Sequence, residues 1–341
     1  MDKVLMTARR EYADAAAAEL RAADPGLASI KMLGPSERLQ GVPGGYYNLV
    51  SSLRADPLSR VFVRHIFPVE FEGGIESFDA EAFIGALGAK FAGKPFSVQT
   101  RWAEAGGACE KALKLTARLE DMFGIRGYAR DDKNPEWAVS LYAKGDFLYA
   151  GASMCAENFS RWSGGEMRFK RDGGMLSRAE FKLLEAFETF SIQKPDPIMP
   201  RPQALDLGAS PGGWSRVLLS FGYGVTAVDP SEMDPSLSGR PGFRHIKAGA
   251  DRLAEGLGPF DFVTNDMRTD MFESCRLMFG LHKKGLVSPG GSALMTLKLM
   301  SGQKKSHALN ALKLLGPGYA VVGARQLFHN RDEVTVYLRC V

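Results

Sequence analysis

The residues with chemistry to offer sit in the second half of the 341-residue chain. Leu205 to Leu219 reads Leu-Asp-Leu-Gly-Ala-Ser-Pro-Gly-Gly-Trp-Ser-Arg-Val-Leu-Leu. This is the pattern of a buried strand, a glycine-rich turn from Gly208 to Gly213 and a helix beginning near Trp214. A turn without side chains lets a ligand come up against the backbone. The spacing Gly208-x-x-x-Gly212-Gly213, with Ser210 and Pro211 inside, is not G-x-G-x-x-G, the spacing that seats a pyrophosphate on a helix N-terminus. Asp229 closes the next strand, where a carboxylate can take ribose hydroxyls.

The turn therefore suits a nucleoside that does not require a diphosphate. S-adenosylmethionine meets that description, with an adenosine, a sulfonium and an amino-acid tail; Asp206 is a candidate for the tail's ammonium. Two further charges end strands. Asp266 follows Phe260–Asn265, and Lys298 follows the apolar run Leu294-Met295-Thr296-Leu297. In an open parallel sheet the carboxyl ends of the strands border the ligand crevice. A lysine held there away from water, or beside another cation, loses its proton more readily and becomes a usable base. A snorkelling surface lysine fits the same pattern. Glu333, read alone, is a solvated turn residue.

These residues need a scaffold, and from Ser177 onward the pattern supplies one. A helix over Arg178 to Phe190 and a Pro-rich break lead into strand 204–207, helix 214–220, strands 225–228, 244–247 and 260–265, helix 272–285, strand 292–297 and helix 304–315. Strand–helix alternation predicts an α/β fold with a mostly parallel sheet. The last two strands, 320–328 and 333–339, have no helix between them and should form an antiparallel hairpin at a sheet edge.

The first half is an α+β region without catalytic spacing. Residues 1–70 read as a small α/β unit with strand Val4–Thr7, helix Glu11–Ala23 and strands at Gly45–Val50 and Val61–Phe71. Residues 75–155 read as a second module: helix Ala80–Phe91, strand Phe96–Trp102, helix Glu110–Phe123 and a hairpin of Trp137–Tyr142 with Phe147–Gly151. Residues 156–175 form a linker containing Arg161, Trp162, Arg168, Lys170 and Arg171, and the last unit runs over 176–341. Cations around a tryptophan can bind RNA through phosphates and stacking. A solvated linker whose Trp162 packs on a domain face reads equally well. Arg9 and Arg10 are further cationic candidates.

Composition narrows the classes. Apolar residues make up 45%, which is ordinary for a globular protein. The net charge of +4 permits an anionic partner without demanding one. No apolar run is long enough for a bilayer, and Met1 to Met6 reads as a strand rather than a signal peptide, so a cytoplasmic protein is expected. Cys109, Cys155, Cys275 and Cys340 are scattered, which favours free thiols over a zinc site.

Four stretches taken together resemble the FtsJ-type family of RNA ribose 2′-O-methyltransferases: Ser177-Arg178-Ala179-Glu180-Phe181-Lys182-Leu183, Asp206 to Ser215, Asn265-Asp266-Met267 and Leu297-Lys298-Leu299. The closing stretch Ala324 to Val336 is similar to family members that methylate a cytidine of 23S ribosomal RNA. The resemblance implies a Rossmann-like methyltransferase domain, S-adenosylmethionine as cofactor, and ribosomal RNA, free or in a precursor particle, as partner. It implies a Lys-Asp-Lys-Glu tetrad of Lys182, Asp266, Lys298 and Glu333, with Lys298 as base, Lys182 keeping it neutral by repulsion and the acids orienting both. No metal or membrane is implied.

The cofactor would lie on Ser177, Asp206, Gly208, Ser210, Pro211, Gly212, Gly213, Trp214, Asp229 and Asp266. A side chain at Gly212 would intrude into its crevice. More weakly, the resemblance extends to an N-terminal THUMP-like RNA-binding module. The region Lys247 to Asp251 departs from the family's adenine-reading acid, so adenine recognition stays unassigned. A different RNA target such as tRNA or an mRNA cap, and a non-catalytic RNA-binding or assembly factor, remain as rivals. A NAD-dependent oxidoreductase is disfavoured by the turn spacing.

Overall fold

The computed structural model describes residues 2–87, 90–103, 110–253, 257–299 and 305–341. The chain divides into two compact units, Met1–Met167 and Arg168–Val341. The division falls inside the stretch expected to be a linker.

The first unit contains β1 (Asp2–Thr7), α1 (Ala13–Ala23), β2 (Ala28–Met32), β3 (Glu37–Val42), α2 (Tyr46–Arg54) and β4 (His65–Pro68). They are followed by β5 (Phe71–Gly74), α3 (Ala80–Leu87), β6 (Phe96–Trp102), α4 (Glu110–Ile125), β7 (Trp137–Lys144) and β8 (Phe147–Met154). It holds two four-stranded sheets, ordered β2-β3-β1-β4 and β5-β8-β7-β6. The helix α4 shows why the second half folds. Ala112, Leu115, Leu119, Met122 and Phe123 recur at helical spacing, and all are buried with Phe96 and Trp137 in one core. Trp137 also stacks on Phe91 at 4.4 Å.

Two expectations fail here. Gly45–Val50 is not a strand: its residues enter α2, whose Tyr46, Leu49, Val50 and Leu53 are buried at i, i+3, i+4 and i+7. Helical spacing outweighs the strand preference of the paired tyrosines. The single strand expected over Val61–Phe71 is instead β4 and the start of β5, paired into different sheets.

The second unit contains α5 (Ala179–Thr189), β9 (Gln203–Leu207), α6 (Gly213–Ser220), β10 (Gly224–Val228), β11 (Phe243–Ile246) and β12 (Phe260–Asn265). Then come α7 (Met271–Lys283), β13 (Val287–Lys298), α8 (Lys305–Leu312), β14 (Tyr319–Arg325) and β15 (Glu333–Cys340). One seven-stranded sheet has the order β11-β10-β9-β12-β13-β15-β14. Its first five strands are parallel, and β15 runs against both of its neighbours. This is a Rossmann-like sheet with the expected antiparallel hairpin at one edge. Leu183, Ala186 and Phe187 of α5 and Trp214, Val217 and Leu218 of α6 join Phe262, Leu294 and Tyr337 of the sheet in one core.

Strand order reverses between β9 and β12. From β9 the chain proceeds outward to β10 and β11; from β12 it proceeds the other way. The two loops that leave these neighbouring strands must diverge, and the gap between them is where open α/β sheets take ligands. The register sets Leu207 opposite Asn265, so the glycine turn and Asp266 leave the sheet side by side.

Candidate active site

The turn after β9 is built from backbone. Gly208 and Gly212 have φ of +70° and +117°, which side-chain-bearing residues adopt only under strain. A Cβ on Gly208 would lie 2.6 Å from Met267 Cγ, and one on Gly212 would lie 2.2 Å from Leu237 Cδ1. The Gly212 position is thus closed by the protein itself, so a side chain there would first collide with Leu237. Gly213 lies against Ser177, whose Oγ would be 2.4 Å from an added Cβ. The peptide between Ser210 and Pro211 is cis, and Pro211 accepts the Asp234 N–H at 2.9 Å.

Asp229 ties the turn to the next strand. Its Oδ2 accepts the Ser210 N–H at 3.1 Å and its Oδ1 the Ser231 N–H at 2.8 Å. Ser210 in turn donates its hydroxyl to the Glu232 carbonyl at 2.8 Å. Glu180 fastens the approach to α5. Its Oε1 accepts the Leu176 N–H at 2.7 Å and its Oε2 receives Arg216 of α6 at 2.6 Å. The S-x-x-E spacing of Ser177 and Glu180 carried that signal in the sequence.

Asp206 and Trp214, both expected at the cofactor, turn their side chains into the protein. Asp206 is 1% exposed, and its carboxylate accepts Ser215 Oγ at 2.7 Å and Thr264 Oγ1 at 2.8 Å. It holds β9, α6 and β12 together beneath the turn. Burial pushes its pKa up to about 6, against the two hydroxyl donors, and the nearby Asp266 charge adds to the rise. Trp214 is 4% exposed and donates its indole N–H to the Ala179 carbonyl at 2.7 Å. Large and apolar, it is spent joining α6 to α5.

The four charged residues do meet. β13 and β15 pair antiparallel with Lys298 directly opposite Glu333, so the ladder register places their side chains together. Lys298 Nζ lies 2.6 Å from Asp266 Oδ1 and 2.5 Å from Glu333 Oε2. Lys182, from α5, lies 2.5 Å from Glu333 Oε1 and 3.2 Å from Asp266 Oδ2. Each lysine touches both acids, and the formal charges cancel. Burial alone would raise the Glu333 carboxyl; Lys298 and Lys182 override it and hold the pKa down to about 2. Two carboxylates thus stand between the two lysines and offset their mutual repulsion.

Two supporting residues were missed by reading the sequence. Thr296 donates to Asp266 Oδ1 at 2.7 Å. It lies two residues before Lys298 on the same face of β13, a period-2 relation that was available. Asn330 is buried and approaches Glu333 Oε1 at 3.4 Å, while its own Oδ1 accepts from the Leu327 N–H at 2.7 Å and Thr335 Oγ1 at 3.1 Å.

The cationic candidates divide between the units. In the first, Arg161 donates to Asn134 Oδ1 at 2.7 Å, and Trp162 has its indole nitrogen buried, which suits packing. Arg9 pairs with Glu11 at 2.8 Å, and Arg10 is exposed. In the second unit Arg168, Lys170 and Arg171 are exposed. Cys155, Cys275 and Cys340 are free thiols, whereas Cys109 lies outside the described residues. Among the described residues no cluster of three His, Cys, Asp or Glu side chains could hold a metal, and no helix is long and apolar enough to cross a membrane.

Residues 175–319 match the family model described as FtsJ-like methyltransferase. A protein of Laribacter hongkongensis named ribosomal RNA large subunit methyltransferase M is 34% identical over 67% of this chain and 65% of its own length. A protein of the same name from Halorhodospira halophila is 31% identical over 52% of this chain and 51% of its own. The one from Azotobacter vinelandii is 28% identical over 87% of this chain and 84% of its own. The chain thus spans between about half and about two-thirds of the length of the first two relatives. With the switch-point turn and the matching segment in register, the second unit carries an FtsJ-like methyltransferase domain.

Proposed function

We propose that the protein transfers a methyl group from S-adenosylmethionine to a ribose 2′-hydroxyl in ribosomal RNA, most specifically a cytidine of 23S RNA. The observation that carries this reading is the meeting of Lys182, Asp266, Lys298 and Glu333 beside a turn that only backbone can occupy. The ribosomal substrate is supported by the names of the relatives and by the closing stretch of the sequence.

The cradle fits the cofactor. Gly208, Ser210 and Gly212 present backbone at the strand-order reversal, and Asp229 stands at the end of β10 for the ribose. When bound, S-adenosylmethionine supplies an electrophilic methyl on a sulfonium. A ribose hydroxyl is a weak nucleophile, and a base that takes its proton as the C–O bond forms lowers the barrier. Lys298 is that base. It acts in its unprotonated form, flanked by both carboxylates and by Lys182 across them. Asp266 and Glu333 hold the amine in line with the hydroxyl, so positioning supplies part of the rate. The first unit, with its two sheets, is the proposed RNA-binding part, a THUMP-like module included.

Incubating the protein with tritiated cofactor and ribosomal RNA from a strain lacking the modification tests the reading. Digestion to nucleosides should place the label in 2′-O-methylcytidine. Label on a base, or label only with tRNA or capped mRNA, would move the activity to a different target.

A further inference from the structure

A group of aromatic rings adjoins the four charges within the second unit. Phe181 precedes Lys182 on α5, and His329 lies in the loop that leads to Glu333. Phe169 comes from the extended segment before α5. Its ring stacks on Phe181 with centroids 5.9 Å apart at 17°, and it meets His329 at 5.7 Å. Phe181 and His329 are 5.1 Å apart. All three are partly exposed, unlike the fully covered aromatics of the core.

The site is built. Glu185, buried one turn along α5 from Phe181, accepts the N–H groups of Phe328 and His329 at 2.6 and 2.9 Å. Its Oε2 also takes His329 Nδ1 at 2.7 Å. One buried carboxylate therefore fixes both the loop and the plane of the imidazole. The same loop carries Asn330, so the rings and Glu333 are positioned by a common framework. On either side of Phe169 the exposed Arg168, Lys170 and Arg171 add positive charge. Stacking faces beside cations are the combination that holds single-stranded nucleic acid, the cations taking phosphates and the rings taking bases.

We infer that Phe169, Phe181 and His329 form a base-stacking subsite for single-stranded RNA next to the acceptor ribose, with Arg168, Lys170 and Arg171 holding the flanking phosphates. This deepens, and rests on, the reading of the protein as an RNA ribose methyltransferase. The rings read an aromatic face, so the subsite requires a base without choosing among bases. It orders the target strand so that a ribose, and not a base edge, reaches Lys298.

The test compares two probes of equal charge: decacytidylate and a ten-residue abasic ribose-phosphate chain. The protein should bind the first at least about fivefold tighter, the lower end of what one stacked base contributes. Phe169→Ala, in a segment outside helix and sheet, should abolish that preference, and Phe169→Trp should keep it. Changing Arg168, Lys170 and Arg171 together to Gln should weaken both probes alike and flatten the salt dependence. Equal binding of the two probes by the unaltered protein, or a preference that survives Phe169→Ala, overturns the subsite. Methyl transfer to ribosomal RNA by the unaltered protein is measured in parallel. Its absence would defeat the enzymatic reading while leaving the probe result to judge the subsite.

Discussion

The glycine turn and the charge cluster stand side by side at the carboxyl edge of one sheet and are made in opposite ways. The turn is shaped by its backbone, with two positive-φ glycines that leave no room for a Cβ and a Ser210 N–H donated to Asp229. The cluster is almost all side chain, and its members come from α5, the loop after β12, the end of β13 and the start of β15. One leaves space; the other fills space with charge. The turn should accordingly be intolerant of added atoms. The cluster should tolerate changes of size but not of charge.

The largest effect should come from Gly212→Val. The substitution forces a β-branched residue to φ +117° and drives Cβ to within 2.2 Å of Leu237. Strain and overpacking each cost about 1–3 kcal/mol. Thermal unfolding should fall by several degrees, and calorimetry should detect no S-adenosylmethionine binding. A variant that binds normally would show the turn to be less confined than its geometry indicates.

Glu333→Gln should sharpen the other side of the comparison through pH. The Glu333 carboxyl is held down to about 2 by the two lysines, below an ordinary value of 4.5. Its ionised form therefore stabilises the fold fully above about pH 4.5, and that contribution fades as pH falls toward 2. The shift corresponds to about 3 kcal/mol. Denaturant titrations should find the variant less stable than the parent at pH 7 and nearly equal to it at pH 2. A gap that stays constant with pH would mean the lysines do not hold that carboxylate.

Thr296→Val is the mildest. It keeps shape and removes one hydrogen bond to Asp266, worth about 1.5–3 kcal/mol for a charged acceptor. Methyl transfer should slow by about three- to tenfold with cofactor affinity unchanged. An equal loss in cofactor affinity would place Asp266 in the turn's work instead of the cluster's.

The two regions also differ in how readable they were. The turn is local: strand, glycines and helix follow one another, so Gly208 to Gly213 and Asp229 were legible from spacing. What escaped was direction. Asp206 and Trp214 belong to the same stretch, yet strand alternation and the helix phase turn both inward. The cluster was legible only through resemblance, because chain order does not reveal that β15 inserts between β13 and β14. Glu333 read alone was an ordinary turn residue until the ladder set it opposite Lys298.

The first unit shows the limit of pattern reading more plainly. The strand β3 is buried throughout, yet it carries Glu37, Arg38 and Gln40, so no apolar alternation marks it. Glu37 is neutralised by Arg101 of β6 at 3.0 Å, a long-range partner that no local window contains.

The most direct test of the central claim is a single-turnover measurement on Lys298→Ala with S-adenosylmethionine binding followed on the same sample. Loss of a general base costs about 10²–10⁴ in rate, whereas the turn, with no side chain from β13, should bind the cofactor as before. Methyl transfer to ribosomal RNA reduced at least a hundredfold with binding intact is the predicted result. Full retained transfer would remove Lys298 as the base and with it the chemical role assigned to the cluster.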